Sequence, residues 1–218
     1  LPLLFAVSTR NTSKELKNHY ACWKNLVSWP VPGELQVLNS CAIKFMKLRK
    51  RLLKKSRLYL ILDRPGFARF SLPKIKSLLL AGSIGLIQLR DKISSKADVL
   101  KFAVKLSKQV DLTNTLFIVN DYVDLALKVS ADGVHLGQDD LSVKQARKIL
   151  GPDKIIGVSC HNLAQAIKAQ KQGADYIGIG PIYPTPTKPG YRAIGLKTAV
   201  CLADKIKIPY FAIGNIYE

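Results

Sequence analysis

From Arg57 onward, short apolar runs rich in β-branched residues recur along the chain, each bounded by a turn and followed by a stretch with helical spacing. The runs occupy residues 58–62, 84–89, 116–119, 133–136, 155–158, 176–179 and 210–213. Helical spacing is clearest in 97–109, where Val99, Leu100, Ala103, Val104 and Leu106 repeat on one side. It returns in 143–150 and in 163–172, where Gly173 supplies a stop. Strict β-α alternation with short connections implies a parallel sheet, because each crossover helix brings the chain back to the edge it left. Seven such strands build either a barrel or an open doubly wound sheet, and the periodicity fits both.

Residues 1–56 lack this rhythm and contain both tryptophans and a Trp-Pro-Val-Pro-Gly breaker cluster at 29–33. They are read as a basic N-terminal extension, followed by one domain over 57–218. Met46 is the only methionine, and the basic helix or turn that follows it would be an ordinary opening for a first strand, so residues 1–45 are expected to lie upstream of the biological start. Residues 1–57 hold 12 of the 34 Lys and Arg but only Glu15 and Glu34 of the 15 acidic residues. The net charge of +19 is therefore partly a property of the extension, and the surplus in the remainder suits an enzyme acting on anionic phosphates. A solvated basic segment accounts for 44–57 more simply than an arm that contacts nucleic acid or anionic lipid. No run of 18 apolar residues occurs, and the opening Leu-Pro-Leu-Leu-Phe-Ala-Val lacks the basic start of a signal peptide, so a cytoplasmic location is expected. Cys22, Cys41, Cys160 and Cys201 have no regular spacing and read as free thiols.

Chemistry-bearing residues cluster at the ends of the predicted strands. Gln88, Arg90 and Lys92 alternate at i, i+2 and i+4, so an extended backbone projects one amide and two cations from one face, as a diphosphate would require. The third strand ends at Asn120 and Asp121, and the fourth is followed by Gly-Gln-Asp-Asp with Asp139 and Asp140. Two carboxylates on neighbouring loops suffice for Mg²⁺, which fills its octahedron with water and phosphate oxygens. The fifth strand ends at Ser159, a hydroxyl able to bond a phosphate or a heterocycle. His135 reads as packed or hydrogen-bonded inside the fold, and His161 as a loop residue. The loop at 180–190 carries Thr185, Thr187 and Lys188 between prolines, including Pro186, that restrict its backbone before any ligand arrives.

In order and spacing, Gln-Leu-Arg-Asp-Lys at 88–92, Phe-Ile-Val-Asn-Asp at 117–121, the Gly-Gln-Asp-Asp loop, Gly-Val-Ser-Cys-His at 157–161 and the proline loop resemble the thiamine-phosphate synthase family. The resemblance runs from about Leu58 to Ile216 and implies a (β/α)8 TIM barrel of the α/β class. It implies that Gln88, Leu89, Arg90, Asp91, Lys92 and Asn120 bind a pyrimidine diphosphate, that Asp121 and Asp140 hold Mg²⁺, and that Ser159 contacts the pyrimidine. Thr185, Pro186, Thr187 and Asn215 would take the thiazole phosphate, with Arg90, Lys92, Ser159 and Lys188 as the catalytic set. The partners implied are two small-molecule substrates, with neither nucleic acid nor membrane; a homo-oligomer stays open.

Two positions depart from the family. Asn215 stands where the family has the second glycine of a pair, although Asn tolerates a left-handed backbone better than most residues. The chain stops at Glu218, before an eighth strand and helix, so a truncated, incomplete barrel of low solubility or activity is expected. A related barrel group, the thiazole tautomerases, has a histidine where this chain has Pro181, which favours the synthase. The remaining rival is an inactive fragment with an anion-binding basic arm.

Overall fold

A computed structural model of the chain describes residues 34–63, 70–185, 190 and 192–216. Each of the seven apolar runs forms a strand: β1 (Tyr59–Leu62), β2 (Leu86–Leu89), β3 (Leu116–Asn120), β4 (Gly133–Leu136), β5 (Ile155–Cys160), β6 (Tyr176–Ile179) and β7 (Tyr210–Ala212). They pair in chain order, every pair parallel. The crossovers are α2 (Leu72–Leu80), α3 (Lys96–Val110), α4 (Val123–Lys128), α5 (Val143–Leu150), α6 (Leu163–Lys171) and α7 (Gly195–Lys205), while α1 (Glu34–Lys55) precedes the first strand.

Helix starts are written locally. The Ser95 side chain accepts from the Asp98 amide at the head of α3, and the Asn162 side chain accepts from the Gln165 amide at the head of α6. Ser142 and Gln145 form a reciprocal capping box on α5. Each satisfies amide donors that a first turn leaves unpaired.

Side-chain alternation then divides the core in two. Leu60, Leu62, Ile87, Leu89, Phe117, Val119, Val134 and Leu136 face the helices in the larger cluster. Tyr59, Leu86, Leu116, Ile118, Ile155, Tyr176 and Phe211 form a second cluster on the opposite face. In a flat sheet β1 and β7 would stand about 29 Å apart at about 4.8 Å per strand. Instead the Tyr59 ring packs edge-on to Phe211 with centroids 5.1 Å apart, and its hydroxyl lies 2.7 Å from that of Tyr176. The sheet is therefore curled upon itself, which excludes the open alternative. Among the described residues it forms seven strands of an incomplete (β/α)8 barrel.

The N-terminal extension is not irregular throughout, because its residues 34–55 are helical. Arg49, Leu52 and Leu53 share one face of α1, with Leu53 buried in the interior cluster and Lys47, Lys50, Arg51 and Lys54 turned outward. Arg49 is buried as well: its Nε donates to Asp132 Oδ1 at 2.7 Å and its Nη1 to Asp153 Oδ2 at 3.2 Å. Asp132 precedes β4, and its other oxygen accepts from the Phe117 amide at 2.9 Å. Asp175, before β6, repeats the device by accepting from the Ile156 amide at 2.9 Å and pairing with Arg147 at 2.6 Å. The basic segment thus closes the N-terminal end of the barrel, and only its outer face is the solvated one expected from composition.

Cys160 and Cys201 are free thiols, and burial pushes the Cys160 thiol up to about 12. Among the described residues no helix is long and apolar enough to cross a membrane.

Removing Arg49 takes the guanidinium partner from the buried Asp132 carboxylate, a loss of about 3 kcal/mol for a buried pair. Arg49→Ala is expected to lower the stability read by urea denaturation by that amount. Lys50→Ala, which removes a half-exposed partner 3.6 Å from Asp175, should cost under about 1 kcal/mol.

Candidate active site

Because β2 to β5 are adjacent and parallel, the residues that follow them share the C-terminal end of the barrel, where barrel enzymes place their chemistry. Gln88 is the last inward side chain of β2, almost fully buried, and its amide nitrogen donates to the Tyr59 hydroxyl. Leu89 packs on the helix side of the wall. The extended row stops there: Arg90 lies just past the strand, half-buried, with its amide bonded to the Leu62 carbonyl at 2.8 Å. Asp91 accepts from the amides of Ile93 and Ser94, both at 2.9 Å, and so turns the chain. That turn swings Lys92 toward the next strand, where its ammonium pairs with Asp121 at 3.2 Å.

Asn120 is buried at the end of β3. Asp121 follows with φ of 62°, a left-handed conformation that is costly for most side chains and least so for Asn and Asp. Its amide is held by the His135 carbonyl at 2.9 Å. Asp140 folds back over its own loop, accepting from the Gly137 amide at 2.6 Å, and lies near enough to Asp121 to act on its carboxyl. Burial first, and then Asp140, raise the Asp121 carboxyl above its ordinary value, while the Lys92 charge pulls the other way. Among the described residues no group of three or more His, Cys, Asp or Glu side chains gathers.

Ser159 sits at the next strand end. Its hydroxyl bonds His135 Nε2 at 2.9 Å and its carbonyl accepts from Gln138 at 2.6 Å. Gln138 escapes notice in the sequence because a glutamine between glycine and aspartate reads as a turn residue. His135 is buried and hydrogen-bonded as expected, and the His161 Nδ1 is bonded to the Gly180 carbonyl. The loop after β6 runs beside the end of β7, with Ile182 and Tyr183 amides on the Ile213 and Gly214 carbonyls. This carries Thr185 to the same end of the barrel, while Pro186, Thr187 and Lys188 lie outside the described residues. Asn215 has φ of 53°, the left-handed backbone that its family counterpart, a glycine, would adopt freely. A cavity of about 150 Å³, lined by Leu48, Arg49, Leu52, Leu116 and Asp132, lies at the opposite end beneath α1 and shares no residue with this cluster.

Known proteins share the sequence and fold of the β-α region. The profile of the family described as thiamine monophosphate synthase matches residues 58–218. The thiamine-phosphate synthase of Shouchella clausii is 45% identical over 166 residues, covering 75% of this chain and 79% of that protein. The thiamine-phosphate synthase of Prochlorococcus marinus subsp. pastoris is 43% identical over 183 residues, 84% of this chain, but the chain spans only 50% of that longer relative. Among solved structures, the thiamine phosphate pyrophosphorylase from Pyrococcus furiosus superposes with a TM-score of 0.64 at 34% identity, covering 72% of this chain and 74% of its own. A curled parallel sheet with cations and carboxylates at one rim, a match over the whole β-α region and this degree of identity lead to one conclusion: the chain belongs to the thiamine monophosphate synthase family.

Proposed function

We propose that this chain joins a hydroxymethylpyrimidine diphosphate to a hydroxyethylthiazole phosphate, yielding thiamine phosphate and free diphosphate, in the cytoplasm. The observation that carries the reading is the meeting of Lys92, Asp121 and Asp140 from three consecutive strand ends, on a chain that belongs to this family. In the reaction, the bond from the pyrimidine methylene to the diphosphate oxygen breaks, and its electron pair leaves with the diphosphate. The thiazole nitrogen then gives its lone pair to the methylene carbon.

Such a substitution asks for no protein base or nucleophile. It asks for charge stabilisation on the leaving group and for alignment of two ligands. Asp121 and Asp140 would hold Mg²⁺, and the pair fits that ion because each carboxylate is a hard oxygen donor and together they carry charge that a cation relieves. When bound, the ion supplies a positive centre for the diphosphate oxygens. Arg90, Lys92 and Lys188 take the remaining charge, Gln88 and Asn120 line the pyrimidine side, and Ser159 contacts the heterocycle. Thr185, Thr187 and Asn215 take the thiazole phosphate. Uniting two small anionic molecules in this way requires neither nucleic acid nor membrane.

Incubation with both substrates should yield thiamine phosphate; conversion of the thiazole phosphate alone would instead support proton transfer on that ring. Lys188→Ala is expected to lower turnover by about 10² to 10³ with the circular-dichroism spectrum unchanged, the usual loss for one preorganised contact. Near wild-type turnover would remove Lys188 from the site.

The Asp121 carboxyl has a raised folded-state pKa, so its proton is held more tightly in the native state than in the unfolded chain. Its contribution to stability is full below the unfolded value and is lost as pH rises through the folded one. Without divalent cations, urea denaturation should therefore show Asp121→Asn at least as stable as wild type at neutral pH. Millimolar Mg²⁺ should stabilise wild type and not the variant.

A further inference from the structure

Behind the rim, five polar side chains from five strands form a continuous hydrogen-bonded line. Gln88 donates to the Tyr59 hydroxyl, which lies 2.7 Å from the Tyr176 hydroxyl. That hydroxyl is 3.0 Å from His135 Nδ1, and His135 Nε2 is 2.9 Å from Ser159 Oγ. Tyr176 is fully buried at 0% exposure, so no ligand reaches it directly. The fold makes room for this line on purpose-built positions. A Cβ on Gly157 would fall 2.0 Å from Tyr176 Cζ, and one on Gly178 would fall 3.3 Å from His135 Cε1. Phe211 packs edge-on against both tyrosine rings, at 5.1 and 5.7 Å between centroids, and holds them in place.

Each hydroxyl has one proton to give, and either tyrosine can be the donor across their 2.7 Å contact. The Gln88 amide gives a proton to the Tyr59 oxygen. The arrangement that uses every proton along the line passes the Tyr59 proton to the Tyr176 oxygen and the Tyr176 proton to His135 Nδ1. An imidazole that accepts at Nδ1 carries its proton on Nε2 and donates from there. In that arrangement Ser159 Oγ accepts from His135 Nε2, which leaves its own proton to be given to a ligand at the mouth. Burial raises the ionisation of both tyrosines, so each keeps the proton the line requires.

We propose that Tyr176 is a positioning residue: by fixing the His135 tautomer it makes Ser159 a hydrogen-bond donor toward the bound heterocycle, so that the site takes a ring presenting an acceptor nitrogen there. The assignment rests on Ser159 meeting the pyrimidine, as proposed above. It selects a ring nitrogen with a free lone pair over an amino group or a ring C–H at that point.

The test has one arm that needs no substrate. Nitrogen-15 spectra of the wild-type full chain should show His135 with its proton on Nε2. A proton on Nδ1, or on both nitrogens, would overturn the proposal. In Tyr176→Phe, whose folding circular dichroism would verify, Nδ1 loses its donor and the tautomer should become mixed. An unchanged tautomer also counts against the proposal. In steady-state assays the variant should raise KM for the pyrimidine diphosphate roughly tenfold, the worth of one oriented hydrogen bond, and leave KM for the thiazole phosphate unchanged. An equal rise in both KM values would mark a merely structural residue. Should wild type form no thiamine phosphate, the proposed reaction fails, while the spectra still decide the tautomer.

Discussion

The contact between Tyr59 and Tyr176 spans the interior from the first strand to the sixth. Two residues separated by 117 positions can meet at 2.7 Å only if every intervening strand pairs in register and the sheet keeps one sense of curl. The same curl sets the strand ends in an arc around one mouth. The cations after β2 and the carboxylates after β3 and β4 become neighbours for that reason, although none of their own sequence would gather them. The interior hydroxyls and the rim charges are two results of one geometric condition.

The two ends of the barrel are built on opposite terms. At the N-terminal end, acidic side chains are satisfied: Asp132 and Asp175 each accept a strand amide and each meet an arginine. At the C-terminal end, Asp121 and Asp140 lie close together, Lys92, more than half exposed, pairs with Asp121, and the Gly137 amide donates to Asp140. Paired charge stabilises the first end, while at the second the Asp121 carboxyl is held above its ordinary value by burial and by the neighbouring Asp140. Separating the two lets the scaffold tolerate a strained rim without loss of fold.

Much of this was legible in the chain. The strand positions followed from short apolar runs and three of the helices from apolar spacing, and the observed strands differ from the expected ones by at most two residues at their ends. The rim residues were legible because polar side chains interrupt apolar runs at the strand ends. The role of α1 was not. Its buried arginine lies between lysines in a basic run, and nothing local distinguishes Arg49 from Lys50; the distinction is made by Asp132 and Asp153, 83 and 104 residues away. The interior line was equally hidden, since Tyr59 and Tyr176 read as ordinary aromatic strand residues until the curl brings their hydroxyls together.

The left-handed backbone at Asp121 limits what this rim can become. A residue there must accept a conformation that glycine, asparagine and aspartate adopt at the least cost, so a β-branched or bulky side chain exchanged in would strain the turn. The choice of donor atom is thus made by main-chain torsion before any ligand arrives. Descendants of this chain could readily vary what approaches the rim, but the short carboxylate at this turn would be harder to replace.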